Sequence, residues 1–217
     1  MDLREILIFL PCLVAAVILH EVSHGVVALW LGDDTAKRAH RLTLNPVRHA
    51  DPFGSVILPA MAVLAQLPAF GYAKPVPVNG ARLRHPRRDI VFVSLAGPAT
   101  NYLLAFIAAS IAKWRFDSGH RIGGVLFDSV QGDLILQIFF YFALVNLLLG
   151  TFNLLPIPPL DGSALLERLL PRTWLPTWYK YRPYGLIVLF MLILMTNVMG
   201  KIISPFYDVL RDYVGLG

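Results

Sequence analysis

The residues whose types and spacing carry the clearest chemistry are His20, Glu21 and His24, in the pattern H-E-x-x-H. Four residues apart on a helix, the two imidazoles share one face and can bind one metal ion. Glu21 lies beside them and can act as a general base toward a metal-bound water. All three lie within a long apolar stretch, where an ionisable side chain costs at least about 2.5 kcal/mol. We interpret them as a hydrolytic metal site; the alternative is a buried polar cluster that joins helices.

Two histidines do not complete a catalytic zinc site, which usually has three protein ligands and one open position. Asp161 is the strongest candidate for the third ligand, because it follows a Pro-rich run and has an apolar context with no adjacent cation. The prolines end the preceding span and favour an extended backbone. The alternative for Asp161, which precedes Gly162 and Ser163, is a turn or a helix N-cap. Other acidic and histidine residues are interpreted as surface, capping or loop-packing residues: Asp33, Asp34, His40, His49 and Glu167.

Helices that cross a membrane must position these side chains, and a crossing needs roughly 20 apolar residues. Four stretches are long enough: residues 6–31, 90–112, 134–155 and 185–203. Residues 56–70 are apolar but short and contain two prolines, Pro59 and Pro68, which suits a re-entrant element. The expected fold is therefore an all-α polytopic membrane protein with about four transmembrane helices. A re-entrant or short extended element lies between the first and second spans.

The composition agrees with a chain surrounded mostly by lipid. Of 217 residues, 56% are hydrophobic and 15% charged, whereas soluble domains carry about 25% charged residues. A single cysteine excludes an internal disulfide framework and a cysteine zinc cluster. No basic stretch is interleaved with aromatic residues, so we expect no nucleic-acid partner. We expect one integral-membrane domain over residues 1–217, with a catalytic core at 6–165 and a C-terminal span at 185–203.

The basic residues predict the orientation. If residues 56–70 are re-entrant, 13 Lys and Arg residues fall on one side of the membrane and 6 on the other. The positive-inside rule then places the N-terminus outside and the active site toward the cytosol. At 1.5 Å per residue, His24 and His20 lie roughly 10 and 16 Å from the cytosolic end of their span. Asp161 can fold back toward them if the Pro-rich backbone lines a water-filled cavity.

Five segments together resemble the site-2 protease family of intramembrane zinc metalloproteases, in its short prokaryotic form without a PDZ or CBS domain. They occur in the family's order: residues 20–25, 44–54, 71–79, 96–101 and 153–162. The resemblance implies that His20, His24 and Asp161 bind one zinc ion per chain and that Glu21 is the catalytic base. For Asn153 it suggests a catalytic role on the oxyanion or the substrate backbone. Hydrogen bonding between helices is the equal alternative for Asn153, and we interpret Asn101 as structural.

The predicted function is hydrolysis of peptide bonds within or near transmembrane segments. The partners are a transmembrane protein or peptide substrate and the lipid bilayer of a prokaryotic plasma membrane; the sequence assigns no oligomeric state. Residues 71–79 could pair with an unwound substrate by strand addition, or form a Pro-rich connector. A membrane zinc transporter or sensor is the alternative, but it would need ionisable residues along residues 90–112 and 134–155, which contain none. An inactive scaffold would have a damaged site, whereas all four presumed positions are intact.

Overall fold

The computed structural model describes residues 3–51, 74–118, 133–195 and 198–215, and the regular structure in these ranges is helical. In chain order the α-helices are α1 (Leu3–Trp30), α2 (Thr35–Arg38), α3 (Pro46–His49), α4 (Pro86–Asp117), α5 (Leu134–Asn153), α6 (Gly162–Leu169), α7 (Leu175–Tyr181), α8 (Gly185–Met195) and α9 (Val198–Val214). Single 3₁₀ turns lie at Gly80–Arg82, Arg172–Trp174 and Arg182–Tyr184.

Three of these helices are long and apolar enough to cross a membrane: α1, α4 and α5. The prediction of an all-α, multi-pass membrane protein is therefore confirmed, together with three of its four spans. The predicted span at 185–203 coincides with α8 and the start of α9, neither of which is a candidate span by itself, so it stays a prediction. The predicted re-entrant element at 56–70 lies outside the described residues.

Small side chains on α4 allow the long helices to approach one another. Alanines of α4 pack against α5 in a core that also includes one face of α9, with these buried residues: Ala108, Ala109, Ala112, Leu136, Phe140, Ala143, Leu144, Leu210 and Val214. Ile8, Cys12 and Ala16 of α1 pack against Val145 of α5. Close contact through small residues is the usual way in which helices associate in lipid, where burial of apolar surface supplies no driving force. The three spans thus form one bundle that sets the positions of the polar groups inside it.

Residues 74–79 are extended and are held by side chains and a loop carbonyl. The Lys74 N–H donates to the carbonyl of His49 (2.9 Å), and the Asn79 N–H donates to the Asp33 carboxylate (2.6 Å). Arg41 donates to the carbonyl of Lys74 (2.7 Å). We call residues 74–79 the extended segment. Its geometry agrees with the prediction of a non-helical conformation at 71–79, of which residues 71–73 lie outside the described part of the chain.

Asp33 is the main anchor at the far end of the extended segment. Its carboxylate accepts hydrogen bonds from the hydroxyl and N–H of Thr35 as well as from the Asn79 N–H. Burial alone would raise the pKa of this carboxyl group, but these hydrogen bonds and the charge of Arg82 lower the pKa below its ordinary value. Asp33 is therefore held ionised, which keeps the anchor intact at neutral pH.

The chain reverses direction between α5 and α6. Prolines at 156, 158 and 159 cannot continue a helix, and α6 starts again at Gly162. A Cβ atom at Gly162 would lie 2.6 Å from the carbonyl oxygen of Leu155, so only glycine lets the reversed chain pass this close. Asp161 occupies the N-cap position of α6, but its side chain makes no capping hydrogen bond. The carboxylate is thus available to face the bundle.

Candidate metal centre

His20, His24 and Asp161 meet at one point in the bundle. The two Nε2 atoms of the histidines are 3.0 Å apart. Oδ2 of Asp161 lies 3.1 Å from Nε2 of His20 and 3.3 Å from Nε2 of His24. Both histidines are buried and the aspartate is half-buried. The spacing of four residues on α1 and the chain reversal after α5 together produce this cluster, which could hold a metal ion.

The outer nitrogen of each imidazole faces a hydrogen-bond partner on α4. Nδ1 of His20 lies 2.5 Å from the side-chain oxygen of Asn101, and Nδ1 of His24 lies 2.6 Å from the carbonyl oxygen of Val93. Because each partner atom is an acceptor, both Nδ1 atoms carry the proton. Both Nε2 atoms consequently present a lone pair toward Asp161, as metal-binding histidines do.

The orientation of Asn101 follows from a chain of hydrogen bonds that ends at a main-chain carbonyl. The Asn146 amide nitrogen donates to the carbonyl of Phe142 (2.8 Å), which can only accept. The oxygen of Asn146 must therefore face Asn101, and it accepts from the amide nitrogen of Asn101 (2.7 Å). This leaves the oxygen of Asn101 for His20. The tautomer of His20 is thus determined by an amide relay through two helices.

When both imidazoles are neutral, the three inward-facing atoms have no hydrogen to share among them. A neutral imidazole protonated on Nδ1 cannot donate from Nε2, and the buried Oδ2 of Asp161 accepts no hydrogen bond in the described structure. Lone pairs at this distance repel one another unless a cation lies between them. Zinc bonds of about 2.0–2.2 Å in a tetrahedral arrangement separate neighbouring ligand atoms by about 3.3–3.5 Å. The observed spacings of 3.0, 3.1 and 3.3 Å fit a zinc ion with little adjustment.

Gly97 provides the space beside this cluster. It lies on α4, and a Cβ atom at this position would be 2.5 Å from Nε2 of His24 and 2.6 Å from Nε2 of His20. No side chain larger than hydrogen fits there unless the imidazoles move. Sequence reasoning quoted the segment that contains Gly97 but assigned the residue no role. A close approach between helices leaves no signal other than the glycine itself.

Glu21 links the histidine pair to the extended segment. It follows His20 directly on α1, and its Oε2 accepts a hydrogen bond from the backbone N–H of Val76 (2.8 Å). A carboxylate held in this way has a fixed orientation but keeps free lone pairs. It can therefore receive a proton from a water molecule located at the metal centre.

Asn153 is not brought into the cluster by any described contact. It is the last residue of α5, and its amide nitrogen donates to the carbonyl of Leu149 in the same helix (2.9 Å). Asn101, which we interpreted as structural, instead contacts His20 directly. Asn146 was missed altogether, although a buried amide within an apolar span was a signal available from the sequence.

The residues that we excluded as ligands lie in other surroundings. The imidazole of His49 faces the carbonyl oxygen of Thr43 (2.8 Å), consistent with a loop-packing role. Glu167 accepts hydrogen bonds from Trp178 and Tyr179. Asp33 anchors the extended segment, and in the described part of the chain His20, His24 and Asp161 form the group suited to a metal ion.

The chain is similar to several known proteins. The model of peptidase family M50 matches residues 8–196. A Bacillus subtilis protein named "Putative zinc metalloprotease YwhC" is 36% identical over 202 residues, which cover 93% of this chain and 86% of that protein. "Putative zinc metalloprotease Rip2" of Mycobacterium tuberculosis is 32% identical over 191 residues, covering 87% of this chain and 67% of that protein. No solved structure shows significant similarity to this chain.

Proposed function

The chain belongs to peptidase family M50 and is an intramembrane zinc metalloprotease, in which we propose that His20, His24 and Asp161 bind the zinc ion and Glu21 is the catalytic base. The observation that supports this assignment best is the convergence of two imidazole lone pairs and one carboxylate oxygen within 3.3 Å of one another. The Nδ1 atoms of both imidazoles face hydrogen-bond acceptors on α4. One zinc ion per chain matches the single cluster of this type among the described residues.

The proposed chemistry divides between the ion and the chain. When bound, zinc polarises the scissile carbonyl group and lowers the pKa of water toward neutrality. Glu21 removes the proton from the attacking water and returns it to the leaving nitrogen. The Val76 N–H holds the carboxylate during both transfers. Asn101 and Val93 hold the imidazole rings, so the ligand set does not need to reorganise when substrate enters.

Asn153 and the extended segment are proposed to contact the substrate backbone. Asn153 uses one of its two amide hydrogens in its own helix, which leaves the second for a substrate carbonyl. A helical substrate must unwind before hydrolysis, because intact helical hydrogen bonds shield its amides. The extended segment offers an edge for such an unwound strand. Its Val76 N–H is already engaged by Glu21, so pairing would use other groups of the segment.

The substrates that fit this site are transmembrane proteins or peptides in a lipid bilayer. The protein is a multi-pass membrane protein. We further propose a prokaryotic plasma membrane, with the N-terminus outside and the active site toward the cytosol. The distribution of basic residues supports this orientation, and the whole chain would act as one protease domain with its core at residues 6–165.

Cleavage of a panel of single-span proteins by the purified protein in detergent tests the proposed function. We expect cleavage inside or beside the apolar segment, its loss on treatment with a zinc chelator, and its recovery on addition of zinc. Zinc uptake into sealed vesicles is measured in parallel. Uptake without cleavage of any panel member would favour the transporter alternative and contradict the assignment.

Replacing Asn101 with Leu should lower zinc affinity by about 10–100-fold. The change removes the acceptor of the His20 Nδ1 proton, so the ring loses its fixed tautomer and orientation. Competition with a chromogenic chelator measures the affinity of the variant. Gln137→Leu is the matched control, because Gln137 is a buried amide on α5 whose described hydrogen bonds involve none of the proposed ligands. Equal effects of both substitutions would mean that Asn101 acts only through packing.

Gly97→Ala should weaken zinc binding even though alanine favours a helix by roughly 1 kcal/mol over glycine. The added methyl group would displace both imidazoles, since its carbon would lie within 2.6 Å of each Nε2. Gly80→Ala is the control, because a Cβ atom there meets nothing within 4 Å. Chelator competition and thermal unfolding are measured together. Unchanged zinc affinity in Gly97→Ala would contradict the close approach of α4 to the histidines.

A further inference from the structure

Three arginines from different elements surround a cavity of about 260 Å³ beside the chain reversal. Arg87 lies in the first turn of α4, Arg168 is on α6, and Arg182 follows α7. Ser94 and Tyr179 add hydroxyl groups to the wall. We call this space the arginine cavity. Guanidinium groups that converge from separate elements are the usual partners of a phosphate group.

The acidic group in the wall is already neutralised by its neighbours. Glu167 accepts from the indole N–H of Trp178 (3.2 Å) and the hydroxyl of Tyr179 (2.5 Å), and Arg182 lies 3.7 Å from it. Arg87 and Arg168 have no carboxylate partner within the described ranges. With Arg182 paired to Glu167, Arg87 and Arg168 leave the wall with a net positive charge, which attracts an anion.

A second cavity of about 390 Å³ adjoins the first and is apolar. The two cavities share Tyr179 and Arg182 in their walls. The remaining wall of the second cavity consists of proline and leucine side chains: Pro158, Pro159, Pro183 and Leu186. We call it the proline cavity. A cationic cavity next to an apolar one is complementary to an anionic lipid. The charged head group would lie in the first cavity and the hydrocarbon tail in the second.

The position of the arginine cavity and the proline cavity at the end of a candidate span also suits a membrane lipid. Arg87 lies three residues before Ile90, where the apolar stretch of α4 begins, and basic side chains at such a helix end reach the lipid head groups. Leu186 is at the start of the strongly apolar α8. Basic pockets between helices at this level are known to bind anionic head groups.

From these observations we propose that the arginine cavity binds the phosphate of an anionic phospholipid and that the proline cavity holds part of its acyl chain. The proposal goes beyond proteolysis and does not rest on it. The proline and leucine side chains of the proline cavity suit a flexible acyl chain.

The bound lipid would connect the start of α4 to α6. Arg168 lies on α6, and α6 follows directly after the proposed ligand Asp161. Pro158 and Pro159 of the same chain reversal line the tail cavity. The lipid should therefore stabilise the part of the chain that carries Asp161, and its effect should be visible as a higher thermal unfolding midpoint.

The test is a lipid titration of the purified full chain in phosphatidylcholine micelles, with thermal unfolding and retained lipid by native mass spectrometry as readouts. Phosphatidylglycerol should raise the unfolding midpoint, and additional phosphatidylcholine should not. In Arg87→Gln/Arg168→Gln the apparent affinity for phosphatidylglycerol should fall at least about tenfold. Arg48→Gln/Arg84→Gln removes the same charge from exposed positions outside both cavities and should leave the affinity unchanged.

Each other outcome overturns a definite part of the proposal. Equal losses in both double variants would show non-specific attraction by net charge. Inorganic phosphate as effective as phosphatidylglycerol would mean that the proline cavity holds no acyl chain. Normal lipid binding by Arg87→Gln/Arg168→Gln, with selective loss of cleavage of substrates that carry an acidic flank, would show that the cavity recognises substrate. Arg87→Lys is a second variant, which keeps the positive charge but lacks the planar guanidinium group. Weaker binding of phosphatidylglycerol by this variant would support recognition through guanidinium geometry, and unchanged binding would contradict it.

Discussion

Glu21→Gln should lower the rate of peptide-bond cleavage by about 10²–10⁴-fold while the protein keeps its zinc. The amide has nearly the shape of the carboxylate, and its oxygen can still accept the Val76 N–H. It cannot accept a proton from water at neutral pH, so the proton transfer that starts hydrolysis is lost. The histidines and Asp161 are unchanged, which leaves the ligand set intact.

Cleavage of a single-span substrate and zinc content per chain are the two measurements for this variant. Glu5→Gln is the matched control, because it makes the same change on the same helix α1, far along the chain from the histidines. We expect full activity and full zinc in the control. Undiminished cleavage by Glu21→Gln would remove Glu21 from the mechanism, and loss of zinc would show that the residue has a structural role in the centre.

Asp161→Asn should reduce zinc affinity by more than about 100-fold, beyond the loss expected for an outer hydrogen-bond partner. The substitution removes the only negative charge among the three proposed ligands. It also places an amide against two imidazole nitrogens that lie 3.1 and 3.3 Å from the present oxygen. A neutral amide oxygen is a weaker zinc ligand than a carboxylate, and a flipped amide would direct its N–H groups at the metal.

The affinity is measured by chelator competition on protein stripped of metal and then titrated with zinc. Asp212→Asn is the control, since Asp212 is exposed on α9 and pairs weakly with Arg211 at 4.0 Å. We expect the control to bind zinc as the wild type does. Full zinc occupancy in Asp161→Asn under the same competition would mean that another group supplies the third ligand.

The two substitutions separate chemistry from metal binding. Glu21→Gln should lose activity with zinc present, whereas Asp161→Asn should lose activity because zinc is lost. Added zinc should therefore restore part of the activity of Asp161→Asn and none of that of Glu21→Gln. The opposite pattern would exchange the roles that we assign to the two carboxylates.

Features that depend on local spacing could be predicted from the amino-acid sequence. The helical period places His20 and His24 on one face, and the length of apolar runs identifies the three candidate spans found among the described residues. Prolines at 156, 158 and 159 predict the end of α5 near residue 155, within two residues of the observed end. The span at 185–203 and the element at 56–70 stay predictions.

Features that depend on packing between distant residues could not be predicted in this way. Asn101 is 81 residues from His20 in the chain, and Asn146 a further 45 residues from Asn101, yet a continuous relay joins the three. Nothing in the local sequence distinguishes an asparagine that orients a histidine from one that only links helices. The choice depends on how α4 and α5 rotate about their axes when they pack.

The sequence by itself determined the chemistry available to this protein: two imidazoles on one helical face, a carboxylate beside them, and spans that place them in lipid. Residue order and helical geometry are sufficient to predict these features, since both act over a few residues. The sequence also suggested Asp161 as the third ligand, but only the tertiary structure brings its carboxylate within 3.3 Å of both histidines. Asp161 reaches the histidines because the chain reverses tightly at Gly162, and the imidazoles fit against α4 because Gly97 has no side chain. These close approaches arise from the packing of whole helices.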